Sequence, residues 1–445
     1  MGYATDHGLY SALTIGIAAM SVVYALALVA RRLERRYEGL AITAPLAVGL
    51  AARFVTIAGV DGTGLSVRLR GGDEQTFMEN SRGLASLSWT DSQWIKSTFH
   101  ELHTAVFALQ EKVADFGPTA IRVTQVGIAM LGLLLLVAAV YELAGAAAAR
   151  VAAWVVMLEP AGIFFDSSIH KEPLMVLAGG LTVYGATKLW RQLDLRGVLV
   201  AAAGCGVAIT TRSYAGWFLV AACAALAFHG AVRRMDRPMR ALPLVYLVVL
   251  GGFLAWPTLL AQSSPHNLKR LQVSQDYNSA AAYEPQLPGG ESTSNGNNLA
   301  FERVDYSTRE KILISLPQRI RDVVLRPYPW QVQNTSQALG AIGSLVALGG
   351  LLLLLSYMWR LRGQVLRVAG PLLYPIVFLL IAYSLSAGNA GTSFRYRTHV
   401  VTLALAMLVV LRAHAASASA RQPTRDGRRT RFGRRVRVRL TQPVT

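Results

Sequence analysis

Cysteine is nearly absent. The 445-residue chain has two, Cys205 and Cys223, each inside an apolar run. That excludes a disulfide framework and a cysteine-based zinc site, and both thiols read as small buried hydrophobes. Charge is scarce as well: 16% of the residues are Asp, Glu, Lys or Arg, where soluble domains carry about 25%. Acids are the scarcer sign, 25 against 44 basic residues, for a formal net charge of +19. Strict apolar–polar alternation is missing too, which argues against a transmembrane barrel. What the chain does have is 53% hydrophobic residues and a mean hydropathy of +0.37. They concentrate in runs of roughly 20 residues, each able to cross a hydrocarbon core of about 30 Å. Lipid admits only helices and closed barrels, so the fold class is an all-α polytopic integral membrane protein.

The basic excess has a position. The stretch 421–439 holds nine arginines against one acid, Asp426. It has few apolar residues, reads as a disordered cytoplasmic tail over 414–445, and suits anionic inner-leaflet lipid. Most remaining basic residues fall in short turns on one side, the positive-inside bias, so nucleic acid is not the expected partner. Arginine greatly outnumbers lysine and Ala, Gly, Val and Leu abound, which fits a GC-rich bacterial genome and a cell inner membrane.

The runs predict about eleven spans, with the N-terminus outside and the C-terminus cytoplasmic. The first, 8–30, is too long for a signal peptide and lacks a clear cleavage site; with Arg31–Arg36 it forms an extra helix and basic turn over 1–38. The main domain, 39–413, takes spans near 40–60, 121–143, 147–165 and 174–190, a sixth ending at Thr211, then 215–232, 241–261, 338–358, 368–386 and 400–413. Two long outer loops interrupt them. The first, 61–118, carries Asp73 and Glu74 in an outward-facing loop over 71–82. It then has an apolar stripe, Ile95, Phe99, Leu102, Val106, Leu109, Val113 and Phe116, spaced as one amphipathic helix lying on the membrane or the bundle. The second, 262–337, has a flexible stretch at 288–298 and an amphipathic segment at 312–325.

This topology gathers the unusual polar residues on the outer side: Asp73 and Glu74; Asp166, His170, Lys171 and Glu172; Arg212 and Tyr214; Arg326, Tyr328 and Trp330; Arg395 and Arg397. Outer arginines run against the topology bias and suit a membrane-held phosphate. An acid can take the proton of an acceptor hydroxyl, and cations can stabilise a departing phosphate. The start of the span at Pro173, with Lys171 at its mouth, adds a helix N-terminus. Plainer readings stand beside these: a solvated acid pair at Asp73–Glu74, interfacial anchoring at His170–Glu172, snorkelling at Arg395 and Arg397, and an aromatic belt at Trp330. Glu159 lies inside a span, where an acid is costly; it precedes Pro160, and either bonds freed backbone donors or faces another helix. His100 and His103 are one residue too close for a zincin motif.

The order of these motifs resembles the GT-C glycosyltransferase superfamily, including protein O-mannosyltransferase-like and arabinosyl- or aminoarabinose-transferring members. The resemblance covers roughly 41–411. It rests on Arg53 followed by Asp73, Glu74 and Phe77; on Ser167, Lys171 and Glu172; and on Arg395-Tyr396-Arg397 before a last helix. The stretch from Leu316-Pro317 to Pro327-Tyr328-Pro329-Trp330 is similar to one in membrane proteins of bacterial polysaccharide clusters. The resemblance implies Asp73 as general base with Glu74 as substitute. It implies donor-phosphate binding by Lys171, Arg395 and Arg397, joined by Arg212 on the same face. It also implies a divalent metal, Mg or Mn, at Asp166 or Glu172, as in some relatives. His170, Glu172, Tyr214, Tyr328 and Trp330 are the expected substrate contacts. The chain departs from the family in its extra first helix and in having no carbohydrate-binding domain after the last one.

The expected function is therefore transfer of a sugar from a polyprenyl-phosphate-linked donor to a glycan or lipid-linked acceptor at the outer face of the membrane. An oligosaccharide repeat-unit polymerase using a lipid pyrophosphate-linked donor is the alternative enzyme. A lipid-linked glycan flippase is the alternative of another class, although transporters place their polar residues nearer the midplane.

Overall fold

The structure is a computed structural model that describes residues 8–63, 72–234, 272–273, 301–302, 304–306, 308–332 and 335–420. The expected span at 241–261, the stretch at 288–298 and the basic residues 421–445 lie outside the described residues. Helices α1 (Gly8–Arg36) and α2 (Thr43–Gly62) form the first hairpin. Its turn is held by Glu34, whose Oε1 accepts from the Ile42 and Thr43 amides at 2.8 and 3.0 Å and caps α2. Helix α1 buries only Thr14, Ala18, Val22, Leu26 and Ala30, one stripe at steps of four. The rest of its apolar surface is exposed, with Leu9, Met20 and Tyr24 more than half accessible. A single-sided stripe on an otherwise apolar helix is the signature of a lipid-facing position.

Where a loop was expected over 71–82, the chain forms α3 (Gly72–Ser86). It turns Met78, Ser81 and Leu84 inward and is stabilised by packing, since its composition is polar. The expected single amphipathic helix is two: α4 (Ser92–His100), capped by Asp91, and α5 (Leu102–Ala114), separated at Glu101, whose backbone leaves the helical region. The face that meets α3 is also different. Helix α5 buries His103, Thr104, Phe107 and Ala108, while Ile95, Phe99, Leu109 and Val113 of the expected stripe stay exposed.

Helix α6 (Pro118–Met157) is broken at Gly145, where φ is 82°. Only glycine adopts that backbone cheaply, and it lets the two arms fold back on each other. A Cβ placed on Gly49 would lie 3.1 Å from both Met130 and Met157, one on each arm. Short α7 (Pro160–Asp166) follows, with Glu159 accepting from the Ala161 and Gly162 amides at its start. Of the two readings open for Glu159, bonding freed backbone donors is the one realised.

Helix α8 (Glu172–Gln192) lies against α6 and against α9 (Leu195–Thr211). A Cβ on Gly180 would meet the Gly132 carbonyl oxygen at 2.1 Å. Backbone thus touches backbone across α6 and α8, the approach small residues allow in membrane helices. Asp194 caps α9 through the Arg196 amide at 2.9 Å. Helices α10 (Ser213–Val232), α11 (Arg309–Leu325), α12 (Thr335–Arg360), α13 (Val365–Ser386) and α14 (Ala390–Ala420) complete the described bundle, with a 3-10 turn at Pro329–Gln331 before α12.

Seven helices among the described residues are long and apolar enough to cross a membrane: α1, α2, α6, α10, α12, α13 and α14. No strand occurs among the described residues. The chain is thus a helical, multi-pass membrane protein. Its arginine-rich turns collect at one end, where Arg234 donates to the Trp190 carbonyl at 2.6 Å and the Trp190 indole donates to the Arg367 carbonyl at 3.3 Å. The candidate site residues lie at the other end, where α2, α7, α9 and α13 finish and α6, α8, α10 and α14 begin.

Candidate active site

Two buried ion pairs build the frame of that end. Arg53, in the middle of α2, is fully buried and donates to Asp166 Oδ2 at 3.0 and 2.7 Å and to the Gly49 and Met157 carbonyls at 3.1 and 2.7 Å. It ties α2 to the end of α6 and to α7. Arg122, one turn into α6, donates to both oxygens of Glu74 at 3.0 Å and to both oxygens of Asp61 at 3.0 Å. Glu74 also accepts the Ile169 amide at 2.8 Å. These bonds fix α3 and the turn before α8 on the end of the bundle. A fork-shaped guanidinium held by paired carboxylates gives orientation as well as energy.

On that frame Asp73 and Glu74, neighbours in sequence, have opposite fates. Glu74 is buried and bonded as above. Asp73 is half exposed, its side chain 52% accessible, and its Oδ2 meets Arg395 Nη1 of α14 at 2.6 Å. The Arg395 guanidinium holds the Asp73 carboxyl below the usual carboxylate range, outweighing the opposing effect of burial. Beside this pair, Glu172 at the start of α8 accepts from Arg212 Nη2 at 2.6 Å, both side chains buried. Burial pushes the Glu172 carboxyl up, and Arg212 and Arg395 more than reverse it, so it is held well below its ordinary range. Arg212 lies over the Tyr396 ring at 4.4 Å, and Tyr396 is tilted against Tyr383 at 4.8 Å, with Tyr214 6.3 Å from Tyr396. Tyr383 in turn bonds His399 Nδ1 at 2.9 Å.

Lys171 completes the group. Its Nζ lies over the Phe77 ring at 5.4 Å and forms no salt bridge among the described residues. Burial first, and the Arg212 charge second, lower its pKa from the ordinary lysine value. His170 is buried beside it, with Nδ1 2.8 Å from Ser168 Oγ, and burial lowers its pKa, favouring the neutral ring. Arg212 Nη1 and Glu172 Oε2 are buried without a hydrogen-bond partner. Buried groups of this kind are rare and call for a ligand or a water.

The structure therefore brings together Asp73, His170, Lys171, Glu172, Arg212, Tyr214 and Arg395. Five expected site residues are elsewhere. Glu74 belongs to the frame, its oxygens engaged by Arg122 and Ile169. Arg397 turns away from Arg395, is buried, and donates to the Val324 and Arg326 carbonyls and Ser344 Oγ at 2.7, 3.2 and 2.9 Å. It holds α14 to the end of α11. Tyr328 and Trp330 lie on a separate groove beyond α11. For the expected metal, Asp166 bonds Arg53 and Glu172 bonds Arg212 through one oxygen each, and no group of three or more His, Cys, Asp or Glu that could hold an ion gathers around them among the described residues. Three groups absent from the sequence reading take part: Arg122 in the frame, and Tyr383 and His399 in the centre. Arg122 carried a signal, an arginine inside the apolar run 121–143, where charge is costly and rarely idle.

No family model, curated protein or solved structure matches the chain.

Chemically, the site presents three cations, Lys171, Arg212 and Arg395, to two carboxylates, Asp73 and Glu172. It has positive charge to spare, one half-exposed carboxylate, and aromatic neighbours in Tyr214, Tyr383 and Tyr396.

Proposed function

We propose that the chain is a GT-C-type glycosyltransferase of the bacterial inner membrane, with about eleven passes, its N-terminus outside and its C-terminus in the cytoplasm. It transfers a sugar, with inversion, from a polyprenyl-phosphate-linked donor to a glycan or lipid-linked acceptor at the outer face. The observation that carries the reading is the half-exposed Asp73 carboxylate beside Arg395, with Lys171 and the free Nη1 of Arg212 left to receive an anion.

In this reading the donor phosphate is held by Lys171, Arg212 and Arg395. A carboxylate held low by an arginine is a weak base. An arriving phosphate competes for Arg395, loosens its bond to Asp73, and lets the Asp73 pKa rise. The acceptor hydroxyl oxygen then attacks the anomeric carbon, the bond from that carbon to the phosphate oxygen breaks, and the phosphate leaves with the electron pair. The hydroxyl proton goes to Asp73. Lys171 and the arginines stabilise the charge that develops on the leaving oxygen. Glu172 orients Arg212, and the tyrosines limit water near the reacting carbon.

The test is glycan production in a strain deleted for the gene and complemented with wild type or Asp73→Asn, with membrane abundance measured for both. The reading requires Asp73→Asn to be present at the wild-type level and to restore no glycan. Full restoration by that variant would remove Asp73 from the chemistry and the transferase reading with it.

A further inference from the structure

The groove that holds Tyr328 and Trp330 differs in character from the charged centre. It lies between the end of α11 and the 3-10 turn and is lined by Glu302, Arg321, Arg326, Tyr328, Trp330 and Gln331, with a volume of about 470 Å³. Small-molecule sites typically span about 300–1,000 Å³. Tyr328 and Trp330 stack with centroids 4.9 Å apart and planes within 11°. Tyr328 covers one face of the indole, and Trp330 is 79% exposed, so its other face is open.

The rim supplies both donors and acceptors. Arg321 spends Nε and Nη2 on Asp322 Oδ1, at 3.1 and 2.9 Å, leaving Nη1. Gln331 accepts the Tyr328 amide through Oε1 at 3.1 Å, leaving its NH2 group. Glu302 accepts from Gln318 through Oε2 at 2.6 Å, while its Oε1 stands 3.8 Å from Arg326 and keeps lone pairs for a hydroxyl. The charges cancel: Arg321 and Arg326 face Glu302 and the buried Asp322. An anion has no preference for such a groove. A ligand with one apolar face and hydroxyls around its edge fits it, because the C–H face lies on the indole and each hydroxyl finds a donor or an acceptor.

We infer that this groove binds an uncharged pyranose of a glycan, separate from the centre that handles the donor phosphate. Given the transferase reading, on which this rests, it is an acceptor subsite that holds a sugar some distance from the one being modified. Binding here is independent of catalysis, so the two ideas fail separately.

The experiment uses the full chain in detergent on an array of neutral and acidic oligosaccharides, with Trp330→Ala, Trp330→Phe and Asp73→Asn run beside wild type. All four are first checked for monodispersity. Wild type and Asp73→Asn bind one or more neutral glycans. Trp330→Ala binds them about tenfold more weakly, as expected for loss of an aromatic platform, and Trp330→Phe restores most of the binding. A blank array, binding confined to phosphorylated or uronate-bearing glycans, or equal binding by Trp330→Ala would overturn the assignment and leave Trp330 as a membrane-belt residue. If glycans bind as described while Asp73→Asn supports full glycan production, the groove stands and the catalytic reading falls.

Discussion

Replacing Glu74 with alanine separates the frame from the chemistry more sharply than any other single change. Glu74 and Asp73 are adjacent acids, but only Glu74 is buried, and it neutralises Arg122 while accepting the Ile169 amide. Removing one partner of a buried pair costs about 3–5 kcal/mol, and a stranded buried amide about 1–3. Arg122 keeps Asp61, whose side chain is 25% exposed, so part of the loss is recovered. The net expectation for Glu74→Ala is about 3 kcal/mol. Asp73→Asn, with a half-exposed side chain, costs under about 1 kcal/mol. Thermal unfolding of the purified protein in one detergent, with both variants and wild type side by side, reads the difference. Glu74→Ala should melt several degrees lower and reach lower membrane abundance, and Asp73→Asn should match wild type on both. If Glu74→Ala melts with wild type yet abolishes glycan production, Glu74 acts in the reaction and the division of labour drawn here is wrong.

Gly180→Ala should destabilise by the upper part of the range for overpacked cores, about 3 kcal/mol, because the new methyl meets the Gly132 carbonyl at 2.1 Å; thermal unfolding reads it, and a neutral result would mean that α6 and α8 are further apart. His103 predicts a pH dependence. Burial, and then the Lys171 charge, lower its pKa from 6.5 to about 3. Its unfolded state therefore takes up a proton between those values that the folded state refuses. Stability falls as pH drops below 6.5, by about 2 kcal/mol at pH 5, and levels off near pH 3. Comparing melting at pH 7 and pH 5 for wild type and His103→Leu isolates this group, and the variant should lose less stability on acidification.

The helical, multi-pass character was legible because length and apolar content define such helices in lipid, but the count was not: seven helices among the described residues are long and apolar enough, against about eleven expected, and the runs at 121–143 and 147–165 fall in α6 and α7. The site was half legible. Lys171, Arg212 and Arg395 stood out as outer cations, and topology alone brought them to one end. Helix α3 was read as a loop because half of its inward stripe, Glu74, Met78, Ser81 and Leu84, is polar; a search for apolar periodicity passes over it. Which of Asp73 and Glu74 stays half exposed depends on Arg122 and Asp61, both distant in sequence, and no local rule carries that. The same holds for Arg397: two residues from Arg395, it leaves α14 on another face, because residues two apart on a helix diverge by about 200°. The stripe runs over two helices, and Ile95, Phe99, Leu109 and Val113 stay exposed, as the membrane-lying option for it requires. Ala105 and Ala108 are small enough to let Leu84 of α3 approach, so packing chose their face over the more apolar one.

The Arg53–Asp166 pair also bears on how the chain reaches the membrane. Its partners are separated by 113 residues. A ribosome adding about 5–20 residues per second presents Arg53 many seconds before Asp166 exists. An arginine near the middle of a span costs about 2.5–3.5 kcal/mol on insertion scales, and α2 has to meet that cost with one charge unanswered. Its early residence is then beside the insertion machinery or at the water boundary, with Arg53 reaching for an interface. The bond that orders the finished site can thus form only after the whole α6 hairpin has been made, so α2 spends its first seconds without it.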